Sequence, residues 1–302
     1  MRRLTIAPSY FRRSSDDYNH KLENDNEEQK PNFNVLSFDG GGSLGIMEAV
    51  ILQDLMNMTT ALRDHPQKIF KIIENEHNNL LAKSDTRQKL AQLINEISNP
   101  IHPTEVFNMF AGSSTGALIA FTLVGGKEDP KTGKRMPMSV QEAINVYFEL
   151  IPKVFHDFKG MRKVSNGLAR KVIGTQIHPY DNLILLREIE RYFGQSTLQD
   201  LDGINDCVVL ATAKRMEHNS EEHYDAMEYF DSKSIMNIKV SDVLMATTNA
   251  PVLFKTPWYI RGVPYVDGAV GASCPLSLAI SRMKDLTKGQ FQSALSIGKV
   301  QF

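Results

Sequence analysis

The residues best suited to chemistry form the segment GSSTG, which begins at Gly112 and matches the pattern G-x-S-x-G. In that pattern a tight strand-to-helix turn lifts the middle serine, here Ser114, out of the sheet. Gly112 and Gly116 flank the serine because larger side chains would clash, and the following helix favours negative charge near the hydroxyl. Apolar runs at 106–111 and 117–123 predict the required strand and helix. We therefore interpret Ser114 as a nucleophile rather than as part of an ordinary turn.

A second glycine-rich turn, GGGSLG at positions 40–45, follows a predicted strand and Asp39, which we interpret as structural. Its spacing fits a dinucleotide-binding turn, which also requires an acidic residue at the end of a second strand roughly 20 residues on. Asp64 lies near that distance, but it follows a predicted helix at 47–62. Because the turn occurs together with the serine motif, we favour an oxyanion hole. Its donors would be the N–H groups of the first three glycines, Gly40, Gly41 and Gly42.

A serine nucleophile needs a base, and histidine is the usual one. The chain has eight histidines, but none lies in the late strand-to-loop setting where a hydrolase histidine is expected. Asp267 ends a predicted strand and is followed by Gly268 and Ala269, so its carboxylate can lie at the same sheet edge as Ser114. Partial desolvation would raise the pKa of that carboxyl toward a useful range. Taken alone, an Asp-Gly pair at a strand end usually marks a turn.

Short apolar runs that alternate with helical patterns position these candidates. Strands are predicted at 33–38, 106–111, 207–213, 265–268 and 295–297, and helices at 139–154, 181–193 and 240–250. This alternation predicts an α/β fold with a mainly parallel sheet. The charged stretch at 64–103 is predicted to be largely helical, with one apolar stripe formed by Leu90, Leu93, Ile94 and Ile97.

Taken in order, three segments resemble the patatin-like phospholipase family: DGGGSLG at 39–45, GSSTG at 112–116 and DGA at 267–269. The segment ATTNAP at 246–251, with Phe254 beyond it, is similar to the family's A-S-S-A-A-P-x-x-F stretch. The run FNMFAGSSTG is similar to the F-x-x-x-A-G-x-S-T-G of the calcium-independent phospholipase A type. The resemblance extends over about residues 34–298.

The resemblance implies a three-layer α/β domain over residues 32–302, with a mainly parallel central sheet flanked by helices. It also implies a lipid acyl hydrolase that cleaves fatty-acyl esters of membrane phospholipids through an acyl-enzyme, with no cofactor and no metal. The catalytic dyad would be Ser114 and Asp267. The oxyanion hole would be formed by Gly40, Gly41 and Gly42. The elbow glycines would be Gly112 and Gly116, and the ends of the motifs would be Gly45, Gly268 and Ala269.

Two departures from the family pattern keep alternatives open. The stretch between the first two motifs is longer than usual, which predicts a helical insertion at about 64–100. The family's N-N-P or N-S-P after the aspartate is here Ala272-Ser273-Cys274-Pro275, so the amides that brace the aspartate loop are predicted to be missing. One alternative is therefore a weak or inactive relative that acts as a lipid-binding or interaction protein. The other is a serine esterase that uses a histidine.

The overall charge and composition exclude several classes of protein. The chain has 34 basic and 35 acidic residues, and a net charge of −1 argues against a nucleic-acid binder. Two cysteines fit a reducing compartment, and no apolar stretch approaches the roughly 20 residues of a membrane span. These features predict a cytoplasmic protein that associates peripherally with membranes. No pattern predicts an oligomeric state.

Two charged segments have more than one interpretation. Residues 1–31 are predicted to form a mobile arm because they have many charges and few apolar residues. Four arginines in the first fourteen residues are compatible with mitochondrial targeting, but the acids from Asp16 onward favour a plain tail. The basic segment 151–171 mixes cations with apolar residues, which fits either a membrane-facing segment or an ordinary basic surface packed on the core.

Overall fold

The computed structural model describes residues 33–77, 83–155, 180–216, 226–251 and 253–298. The arm predicted over residues 1–31 lies outside these ranges, as do positions 156–171 of the basic segment.

A seven-stranded sheet forms the centre of the described chain, and a separate two-stranded ribbon lies apart from it. The strand bounds are β1 Asn34–Phe38, β2 Met109–Ser113, β3 Lys127–Glu128, β4 Arg135–Met136, β5 Val208–Arg215, β6 Met227–Asp231, β7 Trp258–Ile260, β8 Val263–Asp267 and β9 Ser293–Ile297. The order in the sheet is β7-β8-β5-β2-β1-β9, with β6 also paired to β5, and the ribbon consists of β3 and β4. Strands β9, β1, β2 and β5 are parallel to one another, whereas β6, β7 and β8 add antiparallel pairings.

Helices cover both faces of the sheet. Their bounds are α1 Gly45–Asp64, α2 Pro66–His77, α3 Lys83–Asn95, α4 Thr115–Gly125, α5 Val140–Val154, α6 Asn182–Phe193, α7 Val240–Thr248 and α8 Leu276–Leu286. Side chains alternate across β1: Leu36 joins the large core beneath α1, α4, α5, α6 and α7, whereas Val35 joins a smaller core beneath α8. The predicted three-layer α/β fold is confirmed.

The central strands are apolar on both faces because helices cover both faces. All five residues of β2 are buried, as are the first six of β5. The sequence of each strand is therefore a largely continuous apolar run, without the alternation of apolar and polar residues found in strands with one face in solvent. Helix α4 is buried along its whole length. The predicted positions of these three elements are correct to within three residues at each end, and β2 begins later than predicted because a short helical turn occupies Pro103–Glu105.

Of the three antiparallel strands, only β8 was predicted, at 265–268. Strands β6 and β7 lie in stretches with no clear pattern, and the predicted loop at 125–136 contains the β3–β4 ribbon. In the stretch predicted as an insertion, α2 and α3 pack on the end of α1 through Ala61, Ile69 and Leu93. Leu90 and Ile97 of the predicted stripe join this cluster. No helix within the described ranges is long and apolar enough to cross a membrane.

Candidate functional site

Two strands run toward each other along one edge of β5, and their ends define the candidate site. Strand β2 pairs with β5 as far as Ser113 opposite Thr212, and β8 pairs with the next residue, Ala213, through Asp267. Strand β6 takes the opposite edge of β5 over the same residues. The carboxyl ends of β2 and β8 therefore meet head to head, and the residues that follow β2 lie beside Asp267.

Ser114 occupies the sharp turn between β2 and α4. Its backbone has φ 53° and ψ −126°, a conformation that a non-glycine residue adopts only when the surrounding structure enforces it. Glycines allow the close approach of the chain on either side. A Cβ atom on Gly116 would lie 2.5 Å from the Phe38 carbonyl oxygen, and one on Gly112 would collide with the backbone of Ala117.

The Ser114 hydroxyl donates a hydrogen bond to Oδ2 of Asp267, with 2.7 Å between the oxygens. Both side chains are buried. The second carboxylate oxygen of Asp267, Oδ1, accepts the backbone N–H of Ala269 at 2.7 Å. Burial raises the pKa of the Asp267 carboxyl to about 6, against the lowering effect of these two hydrogen bonds. The carboxylate can therefore accept a proton near neutral pH while it remains oriented toward the serine.

The adjacent Ser113 is directed elsewhere. Its hydroxyl is fully buried and donates to the carbonyl oxygen of Ala272 at 3.1 Å. The loop that follows Asp267 is therefore held although the family's asparagines are absent. Ser273 adds a second attachment, because its hydroxyl donates to the carbonyl oxygen of Gly40. The asparagine amides are absent from this loop, and serine hydroxyls at two positions make contacts that hold it instead.

The glycine turn lies beside the serine, but its first amide is already occupied. The Gly40 N–H donates to the Ser273 carbonyl oxygen at 2.8 Å, so the prediction of Gly40 as an oxyanion donor needs correction. The Gly41 N–H makes a longer bond of 3.3 Å to Oγ1 of Thr115. Gly42 and Thr115 each begin a helical turn, where backbone N–H groups have no partner within the helix. Gly45 begins α1, and Gly268 and Ala269 form the turn after β8.

Asp39 does not contact the serine pair. Its Oδ1 accepts the Ser296 hydroxyl at 3.3 Å, and burial raises the pKa of its carboxyl. The same serine contacts the Cys274 thiol, so Asp39 joins β9 to the loop after Asp267. This arrangement agrees with its interpretation as a structural residue.

The histidines with described side chains lie away from Ser114. His102 lies before the start of β2, at the far end of the strand, and its Nε2 contacts the Met138 carbonyl oxygen at 2.8 Å. Burial lowers the pKa of its imidazole. His65 follows the last turn of α1. Within the described ranges, no three histidine, cysteine or acidic side chains are grouped as metal ligands would be.

Two residues of the segment ATTNAP contact the site, although no role was predicted for either of them. Oγ1 of Thr247 accepts the backbone N–H of Ser114 at 2.8 Å, and the carbonyl oxygen of Asn249 accepts the N–H of Asp267 at 3.3 Å. The available signal was the similarity of this segment to a family motif, which marked the segment but not its contacts.

The fold is an α/β domain in which a buried serine and a buried aspartate meet at the ends of two strands, and sequence comparison gives the family. The family model described as Patatin-like phospholipase matches residues 101–280, more than half of the chain. The chain belongs to the patatin-like phospholipase family. Patatin-like protein 1 of Arabidopsis thaliana is 24% identical over 257 residues, which cover 82% of this chain and 50% of that protein. The chain thus spans about half the length of this relative.

Two solved structures show weaker similarity. The first is the crystal structure of VipD from Legionella pneumophila, with a TM-score of 0.33 and 13% identity over 80% of this chain and 46% of that chain. The second is human GIVD cytosolic phospholipase A2, with a TM-score of 0.32 and 17% identity over 70% of this chain and 23% of that chain.

Proposed function

We propose that the protein hydrolyses a fatty-acyl ester bond of a phospholipid by means of Ser114 and Asp267. The observation that carries the proposal is the 2.7 Å hydrogen bond from the buried serine hydroxyl to a carboxylate whose pKa is raised to about 6. Family membership supports lipid acyl hydrolysis in general. The strained backbone of Ser114 adds support, because such strain is typical of functional sites.

The reaction proceeds in two steps. Ser114 Oγ attacks the acyl carbonyl carbon while Asp267 Oδ2 takes the hydroxyl proton, and a tetrahedral oxyanion forms. The oxyanion collapses, the ester bond breaks, and the lysophospholipid oxygen leaves with the proton from Asp267. A water molecule then attacks the acyl-enzyme, and its proton goes to Asp267. Collapse of the second tetrahedral species releases the fatty acid and returns that proton to Ser114.

In this mechanism the oxyanion is held by backbone N–H groups at the first residues of two helical turns near the serine. We assign Gly42 and Thr115 as the main donors, because Gly40 is bonded to Ser273 and Gly41 to the Thr115 hydroxyl. The amino end of α4 adds a favourable dipole for the negative charge. The Ser114 N–H donates to Thr247 and therefore takes no part.

We also propose that this activity needs no calcium. The mechanism uses a carboxylate to accept the proton and backbone amides to hold the oxyanion, so each charge in the transition state has a protein partner. The similarity of residues 107–116 to the calcium-independent phospholipase A type supports the same assignment.

The substrate would be reached at a membrane surface. Leu44, Met47 and Val270 are apolar, and each leaves more than two fifths of its surface exposed. Leu44 and Met47 lie in the glycine turn and the first turn of α1, and Val270 lies in the turn after β8. The two segments approach each other at Gly40 and Ala269. An apolar rim at the site entrance can enter the headgroup region and receive an acyl chain from the bilayer.

An activity-based fluorophosphonate probe tests the proposed nucleophile. The parent protein should be labelled at Ser114 and should release fatty acid from a mixed lipid extract, as detected by mass spectrometry. Ser114→Ala should abolish both, whereas the matched variant Ser113→Ala should retain labelling because that hydroxyl faces Ala272. Labelling at Ser113 would contradict the assignment. Lipid binding by the parent protein without labelling or hydrolysis would favour the inactive relative instead.

A further inference from the structure

The carboxyl end of α7 contacts both members of the serine–aspartate pair. Thr247 accepts the backbone N–H of Ser114, and two residues later the Asn249 carbonyl accepts the N–H of Asp267. Ser114 and Asp267 are 153 positions apart in the chain, and α7 belongs to neither of their strands. One short segment therefore contacts the backbones of both Ser114 and Asp267, and it helps to set the distance between them.

The contact made by Thr247 has a fixed direction. Its side chain is fully buried (0% exposed), and its hydroxyl donates to the Thr212 carbonyl oxygen at 2.6 Å. With the hydroxyl proton directed to Thr212, a lone pair of Oγ1 faces the Ser114 N–H. Thr212 lies on β5 next to Ala213, the residue that pairs with Asp267. The chain of hydrogen bonds thus connects the Ser114 backbone to the strand that positions its carboxylate partner.

This contact acts on a backbone that needs support. Ser114 has a positive φ of 53°, which costs energy unless neighbouring contacts enforce it. Rotation of the Ser114 peptide would turn the hydroxyl away from Asp267, because the Cα–Cβ bond direction is set by the same backbone angles. The Thr247 hydroxyl opposes that rotation by fixing the Ser114 N–H.

We infer that Thr247 is a positioning residue that holds the Ser114 hydroxyl within hydrogen-bonding distance of Asp267. The inference rests on the proposed function, in which Ser114 is the nucleophile. The Thr247 hydroxyl contacts the Ser114 backbone rather than the reacting hydroxyl or carboxylate, so its removal should reduce turnover rather than substrate binding.

The test compares three variants of the full chain on a soluble ester. Thr247→Val removes the hydroxyl and keeps the shape, and Thr247→Ser restores the hydroxyl. The matched control is Thr248→Val, the next residue of α7, which is also buried but donates only to the Leu244 carbonyl one turn earlier. A misplaced reacting group can cost on the order of 100-fold in rate. We expect kcat to fall roughly 10- to 100-fold in Thr247→Val with KM within about twofold of the parent. Thr247→Ser should recover most of the loss.

Thermal unfolding separates positioning from stability. Both valine variants should lose Tm, and Thr247→Val should lose more because its hydroxyl has two hydrogen-bond partners. At a temperature where both variants are folded, only Thr247→Val should lose turnover. Equal loss of kcat in the two variants, or no rescue by serine, overturns the inference. If Thr247→Val does not fold, Thr247→Ala is measured in the same way.

A readout without catalysis keeps this inference separate from the proposed function. Crystal structures of the Thr247 and Thr248 variants give the Ser114 Oγ to Asp267 Oδ2 distance directly. We expect it to lengthen beyond hydrogen-bonding range only in Thr247→Val, and an unchanged distance refutes the positioning role even if the parent protein proves to be inactive.

Discussion

Ser273 makes hydrogen bonds to both backbone polar groups of Gly40. Its carbonyl oxygen accepts the Gly40 N–H at 2.8 Å, and its hydroxyl donates to the Gly40 carbonyl oxygen at 3.1 Å. The loop after the aspartate and the loop before the first helix are therefore joined at one residue. In the family's motif an asparagine occupies this region, so this chain fixes the same loop with a smaller side chain.

The first prediction concerns this attachment. Ser273→Ala removes the hydroxyl bond but keeps the backbone bond, so the glycine loop should remain in place with less restraint. A single hydrogen bond contributes about 0.5–1.5 kcal/mol. If the transition state loses that much stabilisation, kcat/KM should fall roughly 2- to 13-fold. The measurement is steady-state kinetics on a soluble ester. Ser277→Ala, at an exposed serine of α8, is the control. Equal behaviour of the two variants would show that the Ser273 hydroxyl does not support the site.

Local pattern and long-range pairing explain what the sequence could predict and what it could not. The turn at Ser114 is local, since apolar runs and glycines within about ten residues specify strand, turn and helix. The head-to-head meeting of β2 and β8 depends on their registers along β5, which no local pattern encodes. Asp267 was therefore identified by its strand end and the family resemblance rather than by a predicted distance.

The same limit applies to the contacts that restrain the site. The occupation of the Gly40 amide and the hydroxyl contact of Thr247 each join residues more than 100 positions apart. Strands β6 and β7 were missed because their residues lack a clear alternation of apolar and polar side chains, and their pairing partners decide their conformation.

The second prediction follows from the raised pKa of Asp267. The carboxyl must be ionised to accept the serine proton, and burial raises its pKa to about 6. Activity should therefore be low at acidic pH and rise with pH through a midpoint near 6. The measurement is kcat/KM against pH, which reports the free enzyme. Asp267→Asn should lower kcat by about 10²–10⁴-fold and remove this dependence. Near-normal turnover in that variant would mean that another group is the base.

The third prediction concerns stability at the same residue. The pKa of Asp267 is raised from 3.8 to about 6, so the folded state prefers the protonated carboxyl. Above pH 6 the ionised form therefore lowers the free energy of unfolding, by about 3 kcal/mol at 1.4 kcal/mol per pKa unit. This cost decreases as the pH falls from about 6 and disappears below about 3.8. Asp267→Asn should thus be more stable than the parent at pH 8 and not at pH 4. Urea unfolding at both values tests this, and a constant difference would contradict the buried charge.

The fourth prediction is that calcium is not required. Excess chelator should leave hydrolysis of phospholipid vesicles within about twofold of the untreated rate, because protein groups accept the proton and hold the oxyanion. The same treatment of a calcium-dependent phospholipase serves as the positive control. Activity that is lost with chelator and restored by added calcium would require a metal in the mechanism.

The fifth prediction concerns the apolar rim, the exposed residues Leu44, Met47 and Val270. A double variant, Leu44→Ser with Met47→Ser, removes two apolar side chains that are 47% and 42% exposed beside the glycine turn. The control is Ile235→Ser with Met236→Ser, whose parent side chains are 95% and 49% exposed. This control pair lies beyond the amino end of β5, because Ser232 bonds to Val209 at the start of that strand. The control thus removes at least as much exposed apolar surface as the rim variant, but from the opposite end of the sheet.

If the rim enters the membrane, only the first double variant should lose vesicle binding. Burial of one large aliphatic side chain contributes about 1.5–3 kcal/mol, so co-sedimentation with phospholipid vesicles should weaken at least about tenfold. Hydrolysis of vesicle lipid should fall in parallel, while kcat on a soluble ester stays within about twofold. Equal binding by the two double variants would show that the rim is ordinary surface. Equal loss on the soluble ester would show that the substitutions disturb the glycine turn itself.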